Sequence, residues 1–252
     1  MTNRRDVLRI AASSLALLGG AGGTLLGFPF DQIRSASAQT SSGSPLKIGM
    51  IGAGREGSAL GALFVKAGHP VMFSSRRPDT LKDLVAGLGP LAQAGTVEQA
   101  VAFGDVVFIA VPYGALPAIA QQVGPQLKGK VVIDPNNPVP ARDGDLGAQA
   151  KEKGAAVSTA AILPGARLVR AFNSWGYQTM AREANRPAPR MAIPVAADDP
   201  ETLKIGVQLV RDAGFDPVPV GSLAASKAYD LGSPVSGKVM TADEMRKALS
   251  LP

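Results

Sequence analysis

Short apolar runs alternate with amphipathic segments along most of the chain from Leu46 onwards. The apolar run Ile48–Ile51 is followed by a glycine-rich turn, an apolar-periodic segment over residues 59–67, and a second apolar run over residues 70–74. Residues 105–111 are an almost unbroken apolar run, which is typical of a strand buried on both faces of a parallel sheet. Strands that alternate with helices in this way predict an α/β fold with a mostly parallel sheet.

The same alternation of apolar runs and amphipathic segments predicts the remaining strands and helices, except over one segment. We expect further strands at residues 130–134, 167–172, 191–196 and 217–220, and helices at residues 78–86, 97–102, 116–127 and 198–213 and after Thr241. An acid followed by proline at Asp199-Pro200, and Thr241 three residues before Glu244, are helix-start signals. Residues 141–155 are polar and rich in glycine, so we expect a surface excursion there.

The first residues carry an export pattern. Arg4 and Arg5 begin a segment that resembles a twin-arginine signal, a glycine-interrupted apolar stretch follows, and Ala36-Ser37-Ala38 is a cleavage site of small residues. Residues 1–38 are therefore predicted to be a twin-arginine signal peptide, read by the export machinery, and residues 39–45 a flexible leader. The mature protein is then periplasmic or otherwise exported after folding. An uncleaved membrane anchor is the alternative, and the weak hydrophobicity of the stretch argues against it.

The glycine-rich turn has the spacing G-x-G-x-x-G between a strand and a helix. Gly52 permits the tight turn, Gly54 lets a pyrophosphate approach the backbone, and Gly57 lets the helix lie close to the sheet. The helix start then offers unpaired N–H groups to the phosphates. These features predict dinucleotide binding, and the alternative is a turn that only packs a helix on a strand.

The end of the second strand indicates which nucleotide is bound. NAD enzymes usually have an acid there for the ribose hydroxyl, whereas residues 73–77 of this chain include no acid and the next one is Asp79. Two hydroxyls and two guanidinium groups, which suit a 2′-phosphate, stand there instead, on Ser74, Ser75, Arg76 and Arg77. We therefore predict NADP(H) as cofactor; a solvated arginine pair in a surface loop is the alternative.

These observations predict a doubly wound, mostly parallel sheet of the Rossmann type. Residues 46–195 would form the NADP-binding domain, and residues 196–252 a short C-terminal α/β extension that completes it.

Several motifs in order resemble the coenzyme F420-dependent NADP oxidoreductases and their NADPH-reductase relatives. The motifs are IGAGREGSALG, SSRRPD, FIAVPYGALP, VVIDPNNPV, VRAFNSWG and GFDPVPVGSLA, and they span residues 47–225. The tail after Ala225 is shorter and more polar than in the deazaflavin-binding members, so the resemblance supports the nucleotide more strongly than it supports the second substrate.

The resemblance implies a role for each matching position. The turn residues would hold the nucleotide: Gly52, Ala53, Gly54, Arg55, Glu56 and Gly57. Ser75, Arg76 and Arg77 would take the 2′-phosphate, Val111, Pro112 and Asn137 would lie near the nicotinamide, and Asn173 would face the same cleft. For Asn137 and its neighbour Asn136, ordinary turn chemistry is the alternative.

Side chains able to donate a proton are scarce. The single histidine, His69, is expected in a surface turn away from the nicotinamide. Tyr113 follows Pro112 at the cleft, so it is the candidate proton donor and a further cofactor contact; packing on the sheet is its alternative. For Trp175, the single tryptophan, packing is favoured over stacking on a cofactor. The chain has no cysteine, and no metal-ligand spacing is present, so no metal site is predicted.

Charge and composition limit the kinds of partner that the protein is expected to bind. The net charge is +6, of which +4 remains without residues 1–38, and the chain contains no lysine–arginine block. A nucleic-acid partner is therefore not expected, and a small-molecule redox acceptor is.

A site of glycines, amides and prolines suits direct hydride transfer between NADPH and a second redox ring, because that chemistry needs position more than acid–base help. We expect a deazaflavin such as F420, or a flavin, as the acceptor. One alternative is an NADP-linked dehydrogenase of small imines or hydroxy acids, for which a homodimer would have to complete the site. Another is a module that binds NADP(H) without catalysis.

Overall fold

The computed structural model describes residues 44–252. The predicted signal peptide, 1–38, and residues 39–43 of the predicted leader lie outside the described residues. Within the described range, no helix is long and apolar enough to cross a bilayer.

One eight-stranded sheet organises the described part of the chain. Its strands are β1 (Ile48–Ile51), β2 (Val71–Ser74), β3 (Ala92–Gly95), β4 (Val106–Ile109), β5 (Val131–Asp134), β6 (Arg167–Arg170), β7 (Ala192–Ala197) and β8 (Asp216–Gly221). They lie in the order β3-β2-β1-β4-β5-β6-β7-β8, parallel throughout except where β7 pairs with β6 in the antiparallel sense. The doubly wound, mostly parallel α/β fold predicted from the sequence is confirmed.

Helices cover both faces of this sheet. They are α1 (Arg55–Lys66), α2 (Lys82–Leu88), α3 (Val97–Phe103), α4 (Leu116–Leu127), α5 (Pro140–Lys153), α6 (Ala155–Ile162), α7 (Tyr177–Glu183), α8 (Pro200–Asp212) and α9 (Ala242–Ala248). Single turns of 3-10 helix lie at Pro78–Leu81, Tyr113–Ala115 and Ala225–Tyr229. Helices α3, α4 and α6 pack together on one face, while α1 contacts α7 and α8 on the other.

The central strands are buried on both faces. Every residue of β1, β4 and β5 is buried, and successive side chains enter the two hydrophobic cores in turn. In β4, Phe108 joins the core under α1, whereas Val107 and Ile109 join the core under α4. Continuous apolar runs predicted these strands because a strand with helices on both faces has no solvent-facing side.

The segment predicted to be a surface excursion, residues 141–155, is mostly helical. Helix α5 occupies most of it and carries a kink at Gly144, whose φ is 59°. Its polar face is solvated, while the small residues Gly147 and Ala150 are buried against the protein. The glycine that allows the kink and the buried small residues are what made the segment resemble a loop.

Three further elements have no clear signal in the sequence. Strand β3 is mostly exposed and lacks bulky apolar residues. Helix α6 is rich in alanine and has no amphipathic period, and α7 is only 7 residues long.

The predicted boundary between residues 195 and 196 falls inside β7. Strand β8 pairs with β7 in the same sheet, so the C-terminal extension continues the domain. Its two predicted helix starts are present: the Asp199 side chain accepts from the Thr202 N–H, and Thr241 and Glu244 form a reciprocal capping box.

His69 is not the surface residue expected from its turn sequence. It is 1% exposed; its Nδ1 lies 2.9 Å from the Leu46 backbone nitrogen, and its Nε2 lies 3.1 Å from Oδ2 of Asp212. This pairing ties the start of β1 to the end of α8. A single sequence cannot indicate it, because His69 and Asp212 are 143 residues apart.

Candidate active site

The glycine-rich turn has the close packing that dinucleotide-binding turns require. Gly52 has a φ of 94°, and a Cβ on it would lie 2.4 Å from the Ala110 carbonyl oxygen. A Cβ on Gly57 would lie 1.9 Å from the Gly52 carbonyl oxygen, so neither position accepts a side chain. At Gly54, by contrast, a Cβ would meet no atom within 4 Å, which leaves the backbone open to a ligand.

Helix α1 begins at this open position. Gly54 is its N-cap and supplies no capping side chain, while Ala53 is held by its N–H, which donates to the Ser74 carbonyl at 3.1 Å. The first hydrogen bond along the helix runs from the Ser58 N–H to the Gly54 carbonyl, so the preceding N–H groups are free for an anion. The turn therefore fits a pyrophosphate.

The residues predicted to hold a 2′-phosphate lie at the end of β2 and in the loop that follows it. The Ser74 side chain is fully buried and its hydroxyl donates to the Met50 carbonyl at 3.0 Å, so the predicted contact to the cofactor is wrong for this hydroxyl. The Ser75 hydroxyl accepts from the Arg77 N–H at 2.9 Å and shapes the loop. Arg76 and Arg77 are exposed at the carboxyl edge of the sheet. Ser75, Arg76 and Arg77 thus lie together directly after β2, the strand that pairs with β1.

A cleft of about 620 Å³ extends from the glycine-rich turn along the carboxyl ends of β4, β5 and β6. Its lining includes Gly54, Arg55, Glu56, Val111, Pro112, Asn137, Asn173 and Trp175. Seven of these eight were predicted site residues, and Trp175 was expected to pack instead. The whole lining brings together residues from five separate stretches of sequence.

Asn136 joins two strand ends at one side of the cleft. Its Nδ2 donates to the Ile109 carbonyl at 2.7 Å, and its Oδ1 accepts from the Val111 N–H at 3.1 Å. The side chain is buried, so these bonds join the end of β4 to the end of β5. Asn136 therefore positions Val111 and Pro112 and does more than form a turn.

Asn137 and Asn173 face each other across the cleft floor. The Asn137 Nδ2 donates to the Asn173 carbonyl at 2.6 Å, and the Asn173 Nδ2 donates to the Tyr229 carbonyl at 3.2 Å. The Asn173 Oδ1 is buried without a hydrogen-bond partner among the described residues. Both residues line the same cleft, and their contacts with a cofactor remain predictions.

Arg170 supports this floor from below and was not predicted from the sequence. It is fully buried; its Nη1 lies 3.2 Å from Oδ2 of Asp134, and its Nη2 lies 2.9 Å from Oδ1 of Asp230. It also donates to the Asn136 carbonyl and to the Asn137 Oδ1. Burial raises the pKa of Asp134, although Arg170 opposes that rise. Only a fold that brings β5, β6 and the C-terminal segment together reveals this cluster.

The segment from Tyr229 to Gly237, named here the C-terminal wall, closes one side of the cleft. The Tyr229 hydroxyl donates to the Arg170 carbonyl at 2.9 Å, and the Gly237 N–H donates to the Ser174 carbonyl at 2.8 Å. Leu231 within the wall is 47% exposed and stands at the mouth of the cleft. The polar tail therefore shapes the site, even though it departs from the resembled family.

Glu56 is the titratable carboxyl group of the cleft lining in the described part of the chain. Its Oε2 accepts from the Tyr177 N–H at the start of α7, at 3.1 Å. Burial raises the pKa of Glu56 to about 7, and the hydrogen bond from Tyr177 opposes that rise. The motif predicted Glu56 as a backbone contact, but nothing in the sequence indicated its altered ionisation.

Tyr113 does not face the cleft, so its predicted roles as proton donor and cofactor contact are wrong. Its side chain is fully buried and its hydroxyl donates to the Ala155 carbonyl at 3.1 Å. Thr159 lies 3.3 Å from the same hydroxyl. Burial raises the pKa of Tyr113, which makes proton release harder. The alternative, packing on the sheet, is what the fold shows.

Trp175 both packs and lines the cleft. It is 6% exposed and belongs to the core under α1. Its Nε1 is buried and has no hydrogen-bond partner among residues 44–252. The ring therefore forms an apolar wall for a ligand while most of it remains in the core.

Arg142, from the first turn of α5, lies at the cleft beside Asn137. Its Nη2 donates to the Asn137 carbonyl at 2.9 Å, and its Nε and Nη2 donate to the two oxygens of Asp143. The bond from Arg142 is the main reason that the pKa of Asp143 falls to about 2. The Arg142 guanidinium is thus held at the cleft lining by an ion pair with Asp143.

Comparison with known proteins agrees with this geometry. Residues 47–138 match the family model described as NADP oxidoreductase, coenzyme F420-dependent. The match covers β1 to β5 with the loops at their carboxyl ends, and it supports NADP(H) binding by an oxidoreductase domain of this type.

Individual relatives agree with the fold. A hypothetical protein from Sinorhizobium meliloti is 27% identical with a TM-score of 0.66, over 77% of this chain and 95% of that one. A proposed F420-dependent NADP reductase from Arthrobacter sp. FB24 is 16% identical with a TM-score of 0.58, over 73% and 88%. An NADP(+) shikimate dehydrogenase from Anaeromyxobacter sp. (strain Fw109-5) is 33% identical over 157 residues, which is 59% of this chain. The chain spans about half the length of that curated relative, 53%.

Proposed function

We propose that this protein binds NADPH along the carboxyl edge of the sheet and transfers a hydride to a planar redox ring, a deazaflavin or a flavin. The proposal rests mainly on how far the cleft extends. It continues past Val111, Pro112 and Asn137, the nicotinamide positions, to an apolar wall that includes Trp175 and Leu231. A second ring has room to lie there against the nicotinamide.

The nucleotide end of the site rests on the glycine-rich turn and the loop after β2. The open backbone at Gly54 and the free N–H groups at the start of α1 suit the pyrophosphate. The exposed guanidinium groups of Arg76 and Arg77 suit a phosphate at the ribose 2′ position, because each offers planar pairs of donors.

Positioning is the contribution of this chain to the reaction. NADPH, when bound, supplies the hydride, and the acceptor ring gains it with its electron pair. Asn136 holds Val111 and Pro112 in place, so one wall of the site is rigid before the ligand arrives. Trp175 and Leu231 of the C-terminal wall add apolar surface to the cleft lining. Such alignment is the main requirement of direct hydride transfer.

One observation favours a second function. Glu56 lines the cleft and its pKa is raised to about 7 by burial, so it can deliver a proton near neutral pH. A dehydrogenase of small imines or hydroxy acids needs such a donor, whereas reduction of a flavin ring can take its proton from solvent. The two functions therefore differ in their dependence on Glu56.

Anaerobic stopped-flow mixing tests the proposal. The protein is loaded with NADPH, mixed with F420, FMN or riboflavin, and followed through the NADPH absorbance; NADPH deuterated at C4 is run in parallel. We expect rapid oxidation by at least one ring acceptor, with a primary isotope effect on one of the two C4 faces. Oxidation by small imines or oxo acids with every ring acceptor inert would support the second function. Stoichiometric NADPH binding with no oxidation by any acceptor would indicate a binding module and contradict both.

A further inference from the structure

We propose that a small basic pocket beside the cleft binds a phosphate group on the second substrate, a feature that rests on the proposed function. The pocket, named here the lysine pocket, has a volume of about 170 Å³ and is lined by Pro138, Lys151, Lys227, Asp230, Leu231 and Ser233. Pockets that hold a whole small molecule usually measure about 300–1,000 Å³. The lysine pocket therefore fits part of a ligand whose remainder lies elsewhere.

The lysine pocket adjoins the cleft where the second ring would lie. Leu231 lines both spaces, and Pro138 directly follows Asn137 of the cleft floor. A ligand with its ring against Trp175 can thus extend a side chain over Leu231 into the pocket. The pocket is built by Pro138 after β5, by α5, by the 3-10 turn Ala225–Tyr229 and by the C-terminal wall, whereas we assign the dinucleotide phosphates to the turns after β1 and β2. Its charges are therefore separate from those that hold NADPH.

The charge of the lysine pocket is positive because its lining has two lysines and one carboxylate, and that carboxylate is itself paired with Arg170. Asp230 accepts from Arg170 Nη2 at 2.9 Å through Oδ1 and from the Ala155 N–H at 3.0 Å through Oδ2. Lys151 and Lys227 are exposed, and the Lys227 Nζ makes one bond, to the Glu152 carbonyl at 2.6 Å. An ammonium group has three donors, so Lys227 keeps two for a ligand.

Ser233 adds a neutral donor to the two lysines. Its hydroxyl is buried and has no hydrogen-bond partner in the described part of the chain. Buried hydroxyls are normally paired, so an unpaired one in a pocket lining indicates a missing partner. Two ammonium groups with a hydroxyl are suited to the oxygens of a phosphate monoester.

Binding of matched flavin pairs to the NADP+-loaded protein tests this site without requiring turnover. The pairs are FMN with riboflavin and 5-deazaFMN with 5-deazariboflavin, which differ only in the phosphate. We expect the phosphorylated member to bind about tenfold more tightly, the effect of two exposed ion pairs, and added salt to remove the difference. The double variant Lys151→Gln/Lys227→Gln should lose this preference and leave the affinity for the unphosphorylated rings unchanged.

Lys153→Gln/Lys238→Gln is the charge-matched control, because both lysines are exposed and neither lines the lysine pocket. Equal affinity for both members of each pair, an equal loss of both in the pocket variant, or failure of all four compounds to bind would each overturn the proposal. If phosphate-dependent binding is present but no ring oxidises NADPH, the hydride-transfer function fails while the lysine pocket stands.

Discussion

At Glu56 a half-buried carboxyl group lies at the helix start to which we assign the pyrophosphate. Its pKa is raised from the ordinary 4.5 to about 7 because burial penalises the charged form. Below pH 7 the side chain is mostly neutral, and above pH 7 it is mostly a carboxylate. An ionised Glu56 opposes a phosphate anion nearby, so nucleotide binding and the protonation of Glu56 favour each other.

We predict that Glu56→Gln removes this linkage. The ratio of the wild-type Kd to the variant Kd for NADPH should rise from about 1 at pH 6 to about 10 at pH 8, since only the wild type acquires the repulsive charge. Because both Kd values are measured at the same pH, titration of the NADPH phosphates affects both equally and cancels from the ratio. Fluorescence titration across this range provides the ratio, and a ratio that does not change with pH would show that Glu56 does not face the pyrophosphate.

The same group has a consequence for folding. Because its pKa is higher in the folded protein than in the unfolded chain, the folded state binds more protons between these two values, and stability decreases as the pH rises through them. Well above pH 7 the folded protein carries the full free-energy cost of an ionised, half-buried Glu56. Glu56→Gln should therefore stabilise the protein at pH 8 and have little effect at pH 4.5, which thermal unfolding at both values measures.

At the scale of elements, Arg170 joins β6, the end of β5 and the C-terminal wall. It lies between Asp134 and Asp230, and Tyr229 accepts from Asn173 while donating to the Arg170 carbonyl. A buried charge destabilises the folded protein when its oppositely charged partner is removed. The C-terminal wall therefore depends on an ion cluster below the cleft floor as well as on apolar packing.

We predict that Asp230→Asn lowers the free energy of unfolding by about 2 kcal/mol, because it removes a charged partner of a fully buried guanidinium. The substitution also weakens the bond to the Ala155 N–H. Asp243→Asn is a matched control on an exposed ion pair and should change stability by less than about 0.5 kcal/mol. Urea unfolding of both variants measures the difference, and equal effects would mean that Asp230 does not hold the C-terminal wall in place.

At the scale of the whole molecule, the sequence predicted those features of the fold that depend on a pattern of neighbouring residues. Continuous apolar runs indicated β1, β4 and β5, and the glycine spacing located the nucleotide turn, because both follow from neighbouring residues. Residues 141–155 were misjudged, since the buried small side chains of α5 are visible only against the protein around them. His69, Tyr113 and Arg170 have partners distant in the chain, so their burial could not be predicted from their own surroundings. The twin-arginine signal and the exported location remain predictions.

The cofactor preference is expected to follow from Arg76. Its exposed guanidinium after β2 is the group that we assign to the 2′-phosphate, with Arg77 beside it. Charge-assisted hydrogen bonds contribute roughly 1.5–3 kcal/mol each, so loss of one should weaken NADPH binding by about one to two decades. NADH lacks the phosphate and should be affected far less. Arg246→Ala, on α9 and away from the cleft lining, is the matched control.

Equilibrium titration of NADPH and NADH into the wild type, Arg76→Ala and Arg246→Ala tests most directly whether this chain holds a 2′-phosphorylated nucleotide. The predicted result is a wild type that binds NADPH more tightly than NADH, with that preference lost in Arg76→Ala and kept in Arg246→Ala. Equal affinities in the wild type, or equal losses for the two nucleotides in Arg76→Ala, would contradict the assignment of the cleft to NADP(H).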